Sequence, residues 1–323
     1  MNARLITPSA MLIIALMCAA MCMAGYMTLP DAQVYAGDFG LVFPSPDQWD
    51  IPGSWGEIIN VAILGLCAPT VFLINKHFSL LRSSLPFWAL FFLPLTCSML
   101  PVSGKLTSAV ILLPVTLMMF VAIFNSYRIR NATKNSFFIA TCISAGAMIQ
   151  YAFLPYIVAI ALSMLTMKAL RIKELLAMVF GIISPWWMLM GLGVIGYRDF
   201  TLPSPQNIFT STVDPSVFPL LLGTGIAAVV ALLLSLYNGI RLYAGNTKIR
   251  SYNNVVNVFG FISLIAIMFD IDNICAYLGV LNLWIGLQFA NFFTLWNLHK
   301  PVWIFWSIQL LLLAFSIILI FVC

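Results

Sequence analysis

Ten acidic residues are available for chemistry in this 323-residue chain, and their positions narrow the choice. Asp31 and Asp38 lie in the stretch 30–56, Asp38 within YAGDFG, with Asp47 and Asp50 further on. A carboxylate on a loop beside a membrane can act as general base on an acceptor hydroxyl while a lipid-linked donor enters from the bilayer. Asp38 is the first choice for that role and Asp31 the second. Asp270 and Asp272 make an Asp-x-Asp pair, a spacing that can hold a divalent cation near a phosphate. Arg198 and Lys105 are the basic residues expected on the same side, where they can contact a lipid phosphate. Gln288 and Asn291 put amides near the middle of an apolar segment, where they either bond between helices or line a hydrophilic path. Each also has a plainer reading. Acidic loops are ordinary on the outer side of a membrane protein, Asp270 and Asp272 can be a solvated helix end, and Arg198 can pair with Asp199 or snorkel.

Other patterns carry less. GLGVIG at Gly191–Gly196 has the spacing of a dinucleotide fingerprint, but that motif needs a strand before it and a helix after it. Inside an apolar run it reads as close helix packing. The cysteines at 18, 22, 67, 97, 142, 275 and 323 all lie in apolar segments, and His77 and His299 lie at segment edges. No metal spacing joins them, so buried unreactive thiols are expected and no cofactor is.

The elements that must position these residues are helices. The chain is 62% hydrophobic and 8% charged, against roughly 25% charged in soluble proteins. Its apolar runs are continuous, where a β-barrel would alternate with period two. The fold class is therefore all-α, a polytopic transmembrane bundle of about eleven helices. Residues 1–323 form a single integral membrane domain. The first external loop covers 30–56 and the second sizeable one 198–216.

The topology follows from the run between Lys134 and Glu174. It is too long for one crossing of ~30 Å hydrocarbon and short for two. Arg128, Arg130 and Lys134 precede it, and Lys168, Arg171 and Lys173 follow. Both flanks belong in the cytoplasm, so the chain crosses, turns near Gln150–Pro155 and returns. The two crossings, roughly Ser136–Gln150 and Phe153–Met167, are thin and need either a thinned bilayer or shielding by neighbours. Extending the same rule puts the N-terminus inside and the C-terminus outside. Of the fifteen basic residues only Lys105 and Arg198 then face outward, and of the ten acidic ones only Glu174 faces inward. The net charge of +5 thus follows from orientation, and no basic, aromatic-interleaved patch points to nucleic acid. The first loop also holds Val34, Tyr35, Phe39, Leu41, Phe43, Trp49 and Trp55, too apolar for a solvated linker, so it is expected to fold back on the outer face.

The runs NSFFIATCISAGAMIQYAFLPYIVAIAL and LRIKELLAMVFGIISPWW, with a late IGLQFANFF helix, carry a resemblance. The chain resembles an uncharacterised multi-pass inner-membrane family of the Bacteroidota, sometimes mislabelled as a carotene monooxygenase. The resemblance implies a bacterial inner membrane and no particular activity. The carotene label has no support, because there is no set of iron-binding histidines. The acidic first loop is also similar in placement to that of multi-helix polyprenyl-phosphate glycosyltransferases, although it is short for that class.

Three functions remain open at this point. The first is an envelope-glycan role on polyprenyl-linked sugars, as enzyme or accessory subunit. The second is a transporter or lipid flippase, favoured by the amides and by prolines inside five helices. The third is a non-catalytic scaffold bound to other membrane proteins. The lipid bilayer is the one partner common to all three.

Overall fold

The computed structural model describes residues 8–28, 40–46, 49, 51–81, 86–104, 106–196, 205, 207–208, 218–243, 246–295 and 302–322. Among them there are twelve α-helices and no strand. They are α1 (Pro8–Thr28), α2 (Gly53–Phe78), α3 (Phe87–Ser98), α4 (Leu100–Ser103), α5 (Ala109–Asn125) and α6 (Thr133–Ile149), followed by α7 (Tyr156–Thr166), α8 (Ile172–Gly191), α9 (Phe218–Tyr243), α10 (Thr247–Phe269), α11 (Ile274–Leu295) and α12 (Val302–Val322). Seven of them, α1, α2 and α8 to α12, are long and apolar enough to cross a membrane. The other five are shorter.

The helix at the centre is α11, buried along nearly its whole length against α3, α5, α9 and α10. Its small residues set how closely α3 approaches: a Cβ on Gly286 would lie 3.0 Å from the backbone nitrogen of Phe92. On the same face Asn282 turns its amide towards Thr96 and Met99. The helix breaks at Met99, after which the four-residue α4 forms a separate piece. Pro94 inside α3 has no N–H, so the Leu90 carbonyl four residues earlier loses its helical donor. Gln309 of α12 supplies one, from Nε2 at 3.2 Å. Pro185 in α8 frees the Gly181 carbonyl in the same way, and there the donor is Ser184 Oγ of α8 itself at 3.4 Å, while Ser144 Oγ of α6 donates to the next carbonyl, Ile182, at 2.6 Å. At Pro94 the freed carbonyl is thus sealed by a neighbouring helix.

The run between Lys134 and Glu174 forms a hairpin. α6 ends at Ile149, a 3-10 turn covers Tyr151–Phe153, and α7 returns. The Arg128 amide donates to the Met167 carbonyl at 3.0 Å, which joins the two flanks at one end of the bundle. Arg128 and Lys168, both in the left-handed backbone region, close the turns there. Neither short helix faces lipid on all sides, because α6 packs on α5 and α8, and α7 on α10.

The two ends of the bundle differ in charge. One end gathers Phe78, Phe124 and Tyr252 in ring contact, with Tyr127 beside Thr247. Every described Lys and Arg belongs to this basic end, and of the described carboxylates only Glu174 does. At the other end residues 40–43 meet 147–149, Gly25 meets Gly104, and Gln150 meets Asn273. Loops close over this end, and it is called the capped end below.

A candidate functional site beneath the capped end

The site begins with two helix ends that lack partners for their last carbonyls. At the end of α6 the first loop provides them. The amides of Leu41, Val42 and Phe43 donate to the carbonyls of Ala147 and Met148 at 2.9–3.2 Å. Gly40 is needed for that approach, since a Cβ there would sit 2.3 Å from the Ile149 backbone. Ser45 is fully buried, and Trp49 Nε1 donates back to the Pro44 carbonyl, so residues 40–46 lie against the bundle. At the end of α10 the second loop does the same work, with the Ile208 amide donating to the Met268 carbonyl at 3.2 Å.

Between those two capped ends lies Asp270, in the turn joining α10 to α11 and only 4% exposed. Tyr277 in the first turn of α11 donates to Oδ2 at 2.7 Å, and Tyr151 of the 3-10 turn donates to Oδ1 at 2.9 Å. Asn273 Nδ2 lies 3.0 and 3.1 Å from the two oxygens and 2.6 Å from the Tyr151 hydroxyl. Gln150 donates from Nε2 to Asn273 Oδ1. One carboxylate thus holds the α6–α7 turn to the α10–α11 turn. Gln150 Oε1 is buried with no hydrogen-bond partner. Burial pushes the Asp270 carboxyl above its ordinary range, and the bonds from Tyr277, Tyr151 and Asn273 oppose that rise without cancelling it. The arrangement is a buried acid whose proton affinity is raised, surrounded by hydroxyls. A substrate hydroxyl that displaced one tyrosine would meet a group able to take its proton.

A second polar cluster lies about 21 Å further along α11, at 1.5 Å per residue. Gln288 donates from Nε2 to Asn257 Oδ1 at 2.8 Å, and the indole of Trp284 donates to the same oxygen at 2.9 Å. Asn238 of α9 donates to Gln288 Oε1 at 3.1 Å and to its carbonyl at 2.9 Å. Asn291 donates to Asn253 Oδ1 at 3.0 Å. These amides tie α9, α10 and α11 together, and none of them titrates.

The residues singled out in the sequence fall into three groups. Asp31, Asp38, Lys105 and Arg198 lie outside the described residues. Gln288 and Asn291 are brought together in the amide cluster, bonded between helices. Asp270 and Asp272 are separated in environment: Asp270 points into the tyrosine–amide cluster and Asp272 is half-buried. Among the described residues no group of three or more His, Cys, Asp or Glu could hold a metal ion. The described cysteines form no disulfide, and Cys22 and Cys97 face each other across α1 and α3 at 3.6 Å.

Tyr151, Asn273, Tyr277 and Gln150 were not singled out in the sequence. The available signal was polar residues in two short turns, Gln150–Tyr151 and Asp270–Asn273, which nothing in the sequence pairs with one another. No family model, curated protein or solved structure matches the chain.

Proposed function

We propose that this chain is a multi-pass protein of the bacterial inner membrane that handles a lipid-linked, hydroxyl-bearing substrate of the cell envelope, such as a polyprenyl-linked sugar, at its capped end. Asp270 is the residue that would bind or deprotonate a substrate hydroxyl, with Tyr151 and Tyr277 orienting it. The observation that carries the reading is the buried Asp270 carboxyl, held by two tyrosine hydroxyls directly under loop-capped helix ends. The basic end faces the cytoplasm in this reading, since positive residues stay inside. The bundle then crosses about eleven times, with α3 and α4 together counted as one crossing, the N-terminus inside and the C-terminus outside. Asp31 and Asp38 belong to the same outward loop as the residues that cap α6. The membership implied by the Bacteroidota resemblance is consistent with this location and adds no chemistry.

The test compares polyprenyl-linked glycans in cells lacking the gene with cells restored by the wild type or by Asp270→Asn. The reading expects an altered glycan profile on deletion, full restoration by the wild type and none by the variant. Reporter fusions at Thr133 and Lys173 test the orientation, and both are expected in the cytoplasm.

A second reading, a structural scaffold, is favoured by one specific feature: both Asp270 oxygens already have donors. In that case Asp270→Asn would lower stability and function in proportion. A folded, inactive variant separates the first reading from the second.

A further inference from the structure

At the basic end, α8 leaves the bundle's shelter. Only 17% of its most apolar window is buried, and it rests chiefly on α6. Where the two helices begin there is a hollow of about 410 Å³ lined by Arg130, Asn131, Arg171, Ile172, Lys173 and Glu174. Three cations and one carboxylate leave it with a net charge of +2. Glu174 is 1% exposed, and its Oε2 is buried without a hydrogen-bond partner. A carboxylate oxygen in that state calls for a donor.

Further along the same helix pair, a second groove of about 440 Å³ is lined by Phe137, Phe180, Ile183, Ser184, Trp187 and Met188. Phe180 and Trp187 are 64% and 76% exposed, so the groove opens outward. Lys173, Phe180 and Trp187 recur every seven residues, which keeps them on one stripe of α8 with a drift of ~20° per step. The groove lies ~9–21 Å along the helix from the hollow, at 1.5 Å per residue. That is the reach of an acyl chain within one leaflet of a bilayer with a ~30 Å hydrocarbon core.

We propose that hollow and groove together hold one phospholipid whose headgroup carries both a phosphate and a primary ammonium, as phosphatidylethanolamine does. Arg130, Arg171 and Lys173 take the phosphate by charge-assisted bonds. The ammonium donates to Glu174, which gives its orphaned Oε2 a partner. One acyl chain lies over Phe180 and Trp187 against Phe137. The site is at the opposite end of the bundle from Asp270 and does not depend on the function proposed there.

Native mass spectrometry of the purified full-length protein, with lipids of identical acyl chains, tests this. Phosphatidylethanolamine is expected to be retained at least ~10-fold better than phosphatidylcholine, whose quaternary ammonium has no hydrogen to donate, and better than phosphatidylglycerol, which has no ammonium. Glu174→Gln is expected to erase the preference for ethanolamine over choline. The combined Arg130→Gln, Arg171→Gln and Lys173→Gln variant is expected to lower retention of phosphatidylethanolamine ~10-fold. Equal retention of the three lipids by the wild type overturns the proposal without any variant. So does a triple variant that folds and retains phosphatidylethanolamine unchanged.

Discussion

The two polar clusters on α11 pose the same physical problem and solve it differently. Near the basic end, Asn238, Asn253, Asn257, Gln288 and Asn291 are neutral, and each amide bonds another across a helix interface. Such bonds average ~0.6 kcal/mol in a membrane protein, because the unpacked helices find other partners. At the capped end a single carboxylate gathers Tyr151, Tyr277 and Asn273, and burial raises its proton affinity above the ordinary carboxylate range. A neutral amide network holds helices in register and has nothing to exchange with a substrate. A buried acid can change charge, which is why the proposed chemistry falls to Asp270 and the packing to Gln288.

The sharpest way to break this contrast is Asp270→Ala. It strands two tyrosine hydroxyls and an amide, and is expected to lower stability by about 3 kcal/mol, read from thermal unfolding in detergent. Gln288→Ala removes bonds from an uncharged network and is expected to cost about 1–2 kcal/mol. Equal losses would remove the distinction.

A pH series sharpens it further. The folded state raises the Asp270 pKa above its unfolded value of ~3.9. The stabilisation from its protonated form is therefore complete below the unfolded pKa and is lost as pH rises through the folded pKa. The wild type should lose stability relative to Asp270→Asn as pH rises from ~4 through that folded value. The corresponding difference between wild type and Gln288→Ala should be flat. Unfolding midpoints of the three proteins across pH 4 to 8 check this.

The smallest expected effect concerns the loop. Gly40→Ala has no room against Ile149, so the caps on α6 should loosen with little global destabilisation. Faster hydrogen exchange at the amides of Leu41, Val42 and Phe43, with the amide cluster unchanged, is the expected result.

Hydropathy was enough to read an all-helical, membrane-type chain, and the hairpin at Gln150–Pro155 follows from charge on both sides of an apolar run. The buried state of Asp270 was not readable. A carboxylate at the end of an apolar helix looks the same whether water or two tyrosines surround it, and Tyr151 lies far from it in sequence. Gln288 and Asn291 were readable as polar groups needing partners, but Asn238 lies on α9, well away in the chain. The break at Met99 was also hidden, because Pro94 and the residues around Met99 continue the same apolar run. In each case periodicity within one helix carries no information about which other helix turns towards it.

The central claim is that Asp270 acts while the Gln288 network only holds. The direct measurement is the polyprenyl-linked glycan profile of the deletion strain restored with Asp270→Asn or with Gln288→Leu, each verified as folded in the membrane. The account predicts that Gln288→Leu restores the wild-type profile and Asp270→Asn does not. Restoration by Asp270→Asn to the wild-type level would contradict it.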